Sequence, residues 1–271
     1  MTAYRPCVLC AGTARVIEYR FDFGTVVRCR GCDLVSMVEP RGTNLVRCAY
    51  DAGYYRRGDG PGPGYTDYFG SEAGDRRAIA GALADLVLRV APDGRRCLDL
   101  GCGGGFLVHA LAARGMAAFG ADTSDHAVRH TGTGPGRFVL GDVASQAVAV
   151  LAPFDVITMI DVIEHLPDPV SDLRHARSLL RPGGVILLLT PRYGGRLLGE
   201  QDAAYVHFNT DHIYYFTEQT LRAVIGDGVG CRHVVVDDVL GMLSEWNVTI
   251  PRLMARKYGV ERESMLASVI V

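Results

Sequence analysis

Cys97-Leu98-Asp99-Leu100-Gly101-Cys102-Gly103-Gly104-Gly105-Phe106 is the stretch of sequence that decides the fold. An apolar run of strand length passes into a glycine-rich turn, and residues at helical spacing follow it. Glycines let the backbone turn sharply and approach a ligand closely, where a side chain would collide. Asp99, near the end of the strand, places a carboxylate beside that ligand. The stretch therefore predicts a strand, a ligand-binding turn and a helix in succession.

Helical and strand-like segments alternate on both sides of this stretch. Helical spacing of apolar residues is seen at 73–91, 105–114, 124–131, 143–151, 170–181 and 217–226, the last capped by Thr217. Apolar runs of strand length occupy 96–100, 117–121, 137–140, 154–160, 185–190, 232–236 and 265–271. Such alternation predicts an α/β fold, a doubly wound, Rossmann-like, seven-stranded and mostly parallel sheet covered by helices.

Two more acidic residues follow strands, Asp122 after the second and Asp142 after the third. An acid about twenty residues beyond a glycine-rich loop can accept both hydroxyls of a ribose. The glycines alone are also compatible with an ordinary tight turn. A dinucleotide-binding loop normally has the spacing Gly-x-Gly-x-x-Gly, whereas this chain has Gly-x-Gly-x-Gly with an acid before it. A phosphate-binding P-loop is excluded because no Gly-Lys-Ser/Thr follows.

Residues 96–143 resemble the first three motifs of the class I S-adenosylmethionine-dependent methyltransferases. The resemblance continues through Ile160-Asp161-Val162-Ile163-Glu164-His165-Leu166-Pro167-Asp168-Pro169 and Leu179-Leu180-Arg181-Pro182-Gly183-Gly184. The sequence is similar to the ubiquinone-biosynthesis O-methyltransferases and to many bacterial small-molecule methyltransferases. The resemblance implies that S-adenosylmethionine is bound by Asp99, Gly101, Gly103, Asp122, Thr123, Asp142, Val143, Ile160 and Asp161.

The N-terminal segment carries two Cys-x-x-Cys pairs. Cys7 and Cys10 form the first pair, and Cys29 and Cys32 form the second. Two such turns can close a tetrahedral shell of four thiolates around one Zn²⁺ ion, which makes the site structural rather than catalytic. Four unrelated buried thiols, or a redox pair, are the alternatives. The other cysteines are assigned to packing: Cys48, Cys97, Cys102 and Cys231.

A tyrosine-rich connector separates the cysteine pairs from the α/β segment. It includes a glycine- and proline-rich run at 58–64 that is incompatible with a helix or a central strand. We therefore divide the chain into a zinc ribbon at 1–48, a connector or lid at 49–71 and a methyltransferase domain at 72–271. Four tyrosines either close over cofactor and substrate or pack the ribbon against the core: Tyr54, Tyr55, Tyr65 and Tyr68.

Three histidines are candidates for a catalytic base. His165 follows the fourth strand of the predicted parallel sheet, and His207 and His212 follow the fifth, at the edge where substrates of such folds bind. For His165, a structural role in bracing its loop is an equal alternative. Tyr214 and Tyr215 belong to the same aromatic segment and are candidate substrate contacts. The remaining histidines are expected at the surface: His109, His126, His130, His175 and His233.

Composition limits the possible functions. The chain has 271 residues, 48% hydrophobic and 21% charged, with a formal net charge of −2. We expect a cytoplasmic enzyme without signal peptide or membrane span that methylates an O, N or C atom of a small molecule, as in bacterial secondary metabolism. A zinc-ribbon ribosomal RNA methyltransferase is the alternative, but only residues 1–60 carry a basic excess, and nucleic-acid affinity depends mainly on phosphate contacts. A non-catalytic scaffold is a third possibility. No sequence pattern predicts the acceptor or the oligomeric state.

Overall fold

The structure is a computed structural model that describes residues 5–38, 50–58, 64–230, 234–238 and 264–271. Its strands are β1 (Arg15–Phe21), β2 (Gly24–Cys29), β3 (Val35–Val38), β4 (Arg96–Leu100), β5 (Ala117–Asp122), β6 (Arg137–Leu140), β7 (Phe154–Ile160), β8 (Leu180–Pro191), β9 (Tyr214–Tyr215), β10 (Val234–Asp238) and β11 (Ser264–Ile270). Its α-helices are α1 (Ala52–Tyr55), α2 (Ala73–Val90), α3 (Phe106–Ala113), α4 (Asp125–Arg129), α5 (Gln146–Ala149), α6 (Pro169–Ser178), α7 (Arg196–Gln201) and α8 (Glu218–Val229).

The larger sheet has seven strands in the order β10-β11-β8-β7-β4-β5-β6. Strands β4, β5, β6, β7 and β8 pair in parallel, whereas β11 is antiparallel to both of its neighbours. This arrangement confirms the predicted mostly parallel, seven-stranded α/β fold. The carboxyl ends of β4, β5 and β7 meet at one edge because these strands run in the same direction.

A smaller sheet, in the order β1-β2-β3-β9, joins the N-terminal segment to the rest of the chain. Its fourth strand comes from the segment after β8, with Val35 opposite Tyr215 in antiparallel pairing. Cys7, Cys29 and Leu34 also belong to the same buried cluster as core residues such as Leu98. The N-terminal sheet is therefore bonded and packed onto the larger unit.

The core lies on both faces of the larger sheet. Every residue of β7 except its last is buried, as expected for a central parallel strand with helices on both sides. On one face, α2 and α3 pack on β4 through residues such as Leu86, Leu111 and Cys97. Cys97 and Cys102 are buried, in agreement with the predicted packing role. Within the described ranges, none of the helices combines the length and the apolar character needed to cross a bilayer.

Most predicted elements agree with the structure to within about three residues at each end, and the lengths of two differ more. The helix expected at 143–151 is limited to α5, because Asp142 first forms a turn: its side chain accepts the amide of Ala144, and its carbonyl accepts the Ser145 hydroxyl. The strand expected at 185–190 extends over β8, where Gly183 bonds to the carbonyl of Val271. Predictions for Cys48, Cys231, His233 and connector residues 59–63 lie outside the described residues.

Candidate active site

The glycine-rich turn between β4 and α3 adopts a conformation that other residues rarely adopt. Gly101, Gly103 and Gly105 have φ angles of 69°, 50° and 73°, a region that favours glycine. A Cβ atom at Gly101 would lie 2.5 Å from a methyl carbon of Val162, and one at Gly103 would lie 2.4 Å from the Tyr68 hydroxyl. The alternating glycines therefore keep open a narrow backbone cradle at the carboxyl edge of the sheet.

Two buried carboxylates flank this cradle. Asp122 accepts hydrogen bonds from the amides of Gly103 at 2.8 Å and Ser124 at 2.7 Å. Asp99 accepts the Thr158 hydroxyl at 2.7 Å. Burial raises the pKa of Asp99 to about 7, opposed by the Thr158 hydrogen bond and reinforced by the charge of Asp122. Burial also raises the pKa of Asp122, although its backbone hydrogen bonds oppose the shift.

Such a pair fits S-adenosylmethionine, whose methionine end is cationic and whose ribose offers two hydroxyl donors. A cationic ligand relieves the repulsion between the two carboxylates, and hydroxyl donors satisfy the remaining lone pairs of Asp122. The glycine cradle allows the ligand to approach the backbone, which a side chain would prevent. The chain's own residues therefore fit the group that the resemblance implies.

The other predicted cofactor residues lie along the same edge. Thr123 and Asp142 follow β5 and β6, and Val143 is buried beside Asp142. Ile160 ends β7, and Asp161 follows it with a φ of 53°, a conformation that is uncommon for residues other than glycine. The amide of Asp161 donates to the carbonyl of Leu189 at 2.9 Å, which holds this turn against β8.

The connector tyrosines pack on the glycine-rich turn. Tyr68 lies over the turn, and its hydroxyl accepts the amide of Gly104 at 3.3 Å. Tyr54, Tyr55 and Tyr65 form a cluster with it, in which the Tyr55 and Tyr68 ring centroids are 5.1 Å apart. The cluster therefore packs against the glycine-rich turn through Tyr68. We call these four residues the tyrosine lid.

Arg76 is a residue of this region that the sequence reasoning missed. Its guanidinium carbon lies 4.1 Å from the ring centroid of Tyr65 and 3.9 Å from that of Tyr68. Glu72, one helical turn earlier, pairs with it at 2.5 Å. The i, i+4 spacing of Glu72 and Arg76 directly after the tyrosines was the available signal, since such pairs face one side of a helix.

The three candidate histidines lie together, although 42 residues separate His165 from His207. The ring centroids of His165 and His212 are 4.8 Å apart, and those of His207 and His212 are 5.5 Å apart. His165 is placed by the turn after β7, and the other two by the segment between α7 and β9. The Tyr50 ring contacts His165 edge-on at 6.5 Å, and the Tyr50 carbonyl accepts the Ser124 hydroxyl, so the connector joins this group to the cofactor edge.

Burial disfavours the charged form of these imidazoles. It lowers the pKa of His165 and His207, although acidic neighbours oppose the shift: Asp211 and Asp161 for His165, and Asp161 for His207. It lowers the pKa of His212 further, and the two neighbouring histidines add to this effect. The His165 Nδ1 atom lies 2.9 Å from the carbonyl oxygen of Asp211. Because a carbonyl only accepts, Nδ1 carries the proton, and Nε2 keeps a lone pair.

Three residues have different surroundings from those expected. Tyr214 and Tyr215 are buried in β9, where the Tyr214 hydroxyl donates to the carbonyl of Pro167 at 3.1 Å and Tyr215 packs against Val35. Their observed contacts hold the N-terminal sheet on the core. His109, expected at the surface, is half-buried, and both its ring nitrogens lie within 2.6 Å of backbone carbonyl oxygens. These carbonyls belong to a glycine-rich loop that sequence patterns do not position.

The four N-terminal cysteines converge on one point. The Sγ atoms of Cys7 and Cys32 are 3.6 Å apart, those of Cys10 and Cys29 are 3.4 Å apart, and all four lie within 4.8 Å of one another. Zinc–sulfur bonds of about 2.3 Å in a tetrahedron separate sulfurs by about 3.8 Å. The donor set and spacing therefore fit a Zn²⁺ ion. Arg15 donates to the Sγ of Cys29 at 3.5 Å, as expected beside a thiolate.

Known methyltransferases are similar to this chain in sequence. A family model described as a methyltransferase domain matches residues 75–232. The ubiquinone biosynthesis O-methyltransferase of Leptothrix cholodnii is 35% identical over 105 residues, which cover 36% of this chain and 45% of that protein. The corresponding enzyme of Xanthomonas campestris is 38% identical over 114 residues, 39% of this chain and 46% of that protein. The matched region thus spans a little under half of the length of these curated relatives.

Solved structures share the fold. The plantazolicin methyltransferase BpumL in complex with SAH superposes with a TM-score of 0.55 at 14% identity, over 74% of this chain and 85% of that one. A SAM-dependent methyltransferase from Archaeoglobus fulgidus gives a TM-score of 0.54 at 18% identity, over 75% and 99% of the two chains. Because the family model covers more than half of the chain, the protein belongs to the methyltransferase-domain family.

Proposed function

We propose that this protein transfers a methyl group from S-adenosylmethionine to a hydroxyl group of a small molecule. The observation that carries the proposal is the grouping of three histidines at the same sheet edge as the glycine cradle. Class I substrates bind at this edge, outside the carboxyl ends of the strands. An acceptor between the tyrosine lid and the histidines would be close to both.

The cofactor, when bound, supplies an electrophilic methyl group on a sulfonium ion. Asp99 would lie beside its charged methionine end, and Asp122 would hold its ribose hydroxyls. The glycine cradle would allow the cofactor to approach the backbone of the turn. The tyrosine lid would exclude water from the turn, because Tyr55 and Tyr68 are both buried there. The chain's main contribution is therefore to position the two reactants.

A hydroxyl acceptor must lose its proton when it gains the methyl group. The oxygen forms the new C–O bond, the electron pair of the broken C–S bond stays on sulfur, and the proton passes to a base. His165 is suited to accept it, since its Nδ1 is committed to Asp211 and its Nε2 keeps a lone pair. His207 is the second candidate, and Asp161 stabilises the charged form of both rings.

A small acceptor is favoured over RNA. The curated relatives described above are O-methyltransferases of ubiquinone biosynthesis, and residues 61–271 carry a net negative charge, which disfavours binding to the phosphates of RNA. We place the acceptor in bacterial secondary metabolism, as the resemblance to small-molecule enzymes suggests. The same proposal includes a zinc ribbon at 1–48, a connector at 49–71 and a catalytic unit at 72–271.

The test is transfer of a radiolabelled methyl group from S-adenosylmethionine to a panel of phenols, hydroxylated quinones and alcohols. We expect labelled product with at least one hydroxylated compound. At saturating S-adenosylmethionine, the acid midpoint of the rate should lie below pH 6.5, because burial lowers the pKa of all three histidines from that ordinary value. Labelling of ribosomal RNA instead of the panel, or no binding of the cofactor, would reject the proposal.

A further inference from the structure

We propose that the N-terminal sheet positions the histidines of the acceptor site, and that this role depends on the four cysteines whereas cofactor binding does not. The proposal concerns residues 205–213, which we call the histidine segment. This segment carries His207 and His212, and β9 follows it directly. That these histidines face an acceptor rests on the proposed function, whereas their attachment to the N-terminal sheet is independent of it.

Backbone hydrogen bonds fix the C-terminal end of the histidine segment. β3 pairs with β9 in antiparallel register. The amide of Met37 donates to the carbonyl of Ile213 at 2.9 Å, and the amide of Ile213 donates to the carbonyl of Glu164 at 2.8 Å. Ile213, the neighbour of His212, is thus held between the N-terminal sheet and the turn that carries His165.

A side chain of β1 contacts the other end of the same loop. The Tyr19 hydroxyl donates to the carboxylate of Asp202 at 2.9 Å, and the ring centroids of Tyr19 and Phe208 are 4.8 Å apart. Phe208 is the neighbour of His207 in the chain. Asp202 has a φ of 46°, a conformation that persists only where surrounding contacts hold it. Tyr19 is therefore the positioning side chain on this side of the segment.

Glu18 joins the N-terminal sheet to the start of this loop. Its two carboxylate oxygens accept the Tyr193 hydroxyl and the Arg28 guanidinium, both at 2.5 Å. Tyr193 lies two residues beyond the end of β8, and Arg28 lies on β2. Hydrogen bonds to a charged group are stronger than those between neutral groups. The loop between β8 and β9 is therefore anchored on the N-terminal sheet at three separate points.

The four cysteines determine where β2 and β3 lie. Cys29 ends β2, and its amide donates to the carbonyl of Leu34 at 3.0 Å, directly before β3. Cys32 lies in the turn between these two strands. A ribbon of this size has few core residues of its own, so a Zn²⁺ ion held by the four thiolates would supply the missing stability. Loss of the metal would therefore release β3, and β9 with it.

Other elements hold the cofactor edge. Asp99 accepts the hydroxyl of Thr158 on β7, and Asp122 accepts the amide of Gly103 in the cradle itself. Tyr68, which covers the cradle, belongs to the connector. These contacts lie within the large sheet and the connector. A disturbed N-terminal sheet should therefore leave the affinity for the cofactor unchanged while the histidine segment loses its support.

Variants of the full-length chain, purified with Zn²⁺, test the proposal. Tyr19→Leu removes the hydrogen bond to Asp202 and the ring contact with Phe208. Phe23→Leu is the matched control, because Phe23 is an exposed aromatic residue of the same hairpin whose ring stacks on Phe21. Backbone hydrogen exchange followed by mass spectrometry measures the opening of the histidine segment. Calorimetry measures the affinity for S-adenosylhomocysteine.

We expect residues 205–213 to exchange about tenfold faster in Tyr19→Leu than in wild type, since one hydrogen bond and one aromatic contact are lost. The imidazole resonances of His207 and His212 should shift in the NMR spectrum of this variant, whereas that of His175, exposed on α6, should not. Phe23→Leu should match wild type. Cys10→Ser should speed exchange of the histidine segment further. All three variants should bind S-adenosylhomocysteine as wild type does.

Unchanged exchange of residues 205–213 in Tyr19→Leu, equal acceleration in Phe23→Leu, or weaker binding of S-adenosylhomocysteine by Tyr19→Leu would overturn the proposal. Tyr19→Leu decides the matter even if Cys10→Ser fails to fold, because it leaves the four cysteines intact. Failure of the proposed function would instead appear as absent binding of S-adenosylhomocysteine to the wild-type chain. The comparisons of exchange and of imidazole resonances do not depend on that binding.

Discussion

Replacement of Asp99 by Asn should stabilise the ligand-free protein, and the gain should grow with pH. The pKa of Asp99 is about 7 in the folded chain against an ordinary value of 3.8. Between these values the unfolded chain carries the charge and the folded chain carries the proton, so a rise in pH favours unfolding by about 1.4 kcal/mol per pH unit. From pH 5 to pH 7 the wild type should lose about 2.3 kcal/mol through this group, and above pH 7 only about 0.4 kcal/mol more.

The amide introduced by Asp99→Asn is neutral at every pH and still offers an oxygen to the Thr158 hydroxyl. The difference in free energy of unfolding between Asp99→Asn and wild type should therefore increase by roughly 2–3 kcal/mol between pH 5 and pH 8. Urea denaturation of the ligand-free proteins at the two pH values measures it. Asp93→Asn, at an exposed turn before β4, is the matched control for the loss of one carboxyl group. A pH-independent difference for Asp99→Asn would refute the argument that this carboxyl group is protonated by burial.

Three further predictions concern the turn, the ribbon and the lid. Gly101→Ala should lower the free energy of unfolding by about 1–3 kcal/mol more than Gly115→Ala. Both glycines have positive φ angles, but only a Cβ atom at Gly101 would meet a neighbour, Val162. Urea denaturation measures both losses, and equal losses would contradict the expected clash with Val162. Cys10→Ser should abolish the thiolate charge-transfer absorption of the Co²⁺-loaded chain. Cys97→Ala should retain this absorption, because Cys97 is buried in the core away from the four sulfurs. An unchanged spectrum of Cys10→Ser would exclude the four-thiolate site. Arg76→Met should remove two cation–π contacts of about 1 kcal/mol each, and it should speed dissociation of S-adenosylhomocysteine about tenfold or more in stopped-flow measurements. Arg89→Met is the control, because Arg89 is exposed on the same helix, and it should leave the dissociation rate unchanged. Equal dissociation rates for the two variants would show that Arg76 does not support the lid.

Much of the fold was predictable from local patterns. Apolar runs of strand length and helical spacing gave β4, β6 and β7 with their observed bounds, and Thr217 caps α8 as expected. The glycine-rich turn was predictable for the same reason, since its alternating glycines match three positive φ angles in one short loop. These features depend on residues that are close in the chain.

Contacts between distant segments were not predictable. The pairing of β9 with β3 joins Tyr215 to Val35 across 180 positions of the chain, and the two-residue strand has no periodicity to reveal it. The His165 and His212 contact depends on how the segment after β8 folds back over the turn after β7. The supporting roles of Thr158 and Arg76 depend in the same way on which surfaces meet, and ordinary helix and strand patterns do not encode this.

Titration of the full-length chain with S-adenosylhomocysteine in a calorimeter, for wild type and Asp122→Asn, tests the central claim that the edge of β4 and β5 holds the cofactor. The Asn variant keeps the size of the side chain but lacks the charge and one of the two acceptors that bind the amides of Gly103 and Ser124. We expect one site per wild-type chain and at least tenfold weaker binding by the variant, corresponding to a loss of about 1.4 kcal/mol. No heat of binding to the wild-type chain, or equal affinities for the two proteins, would contradict the account.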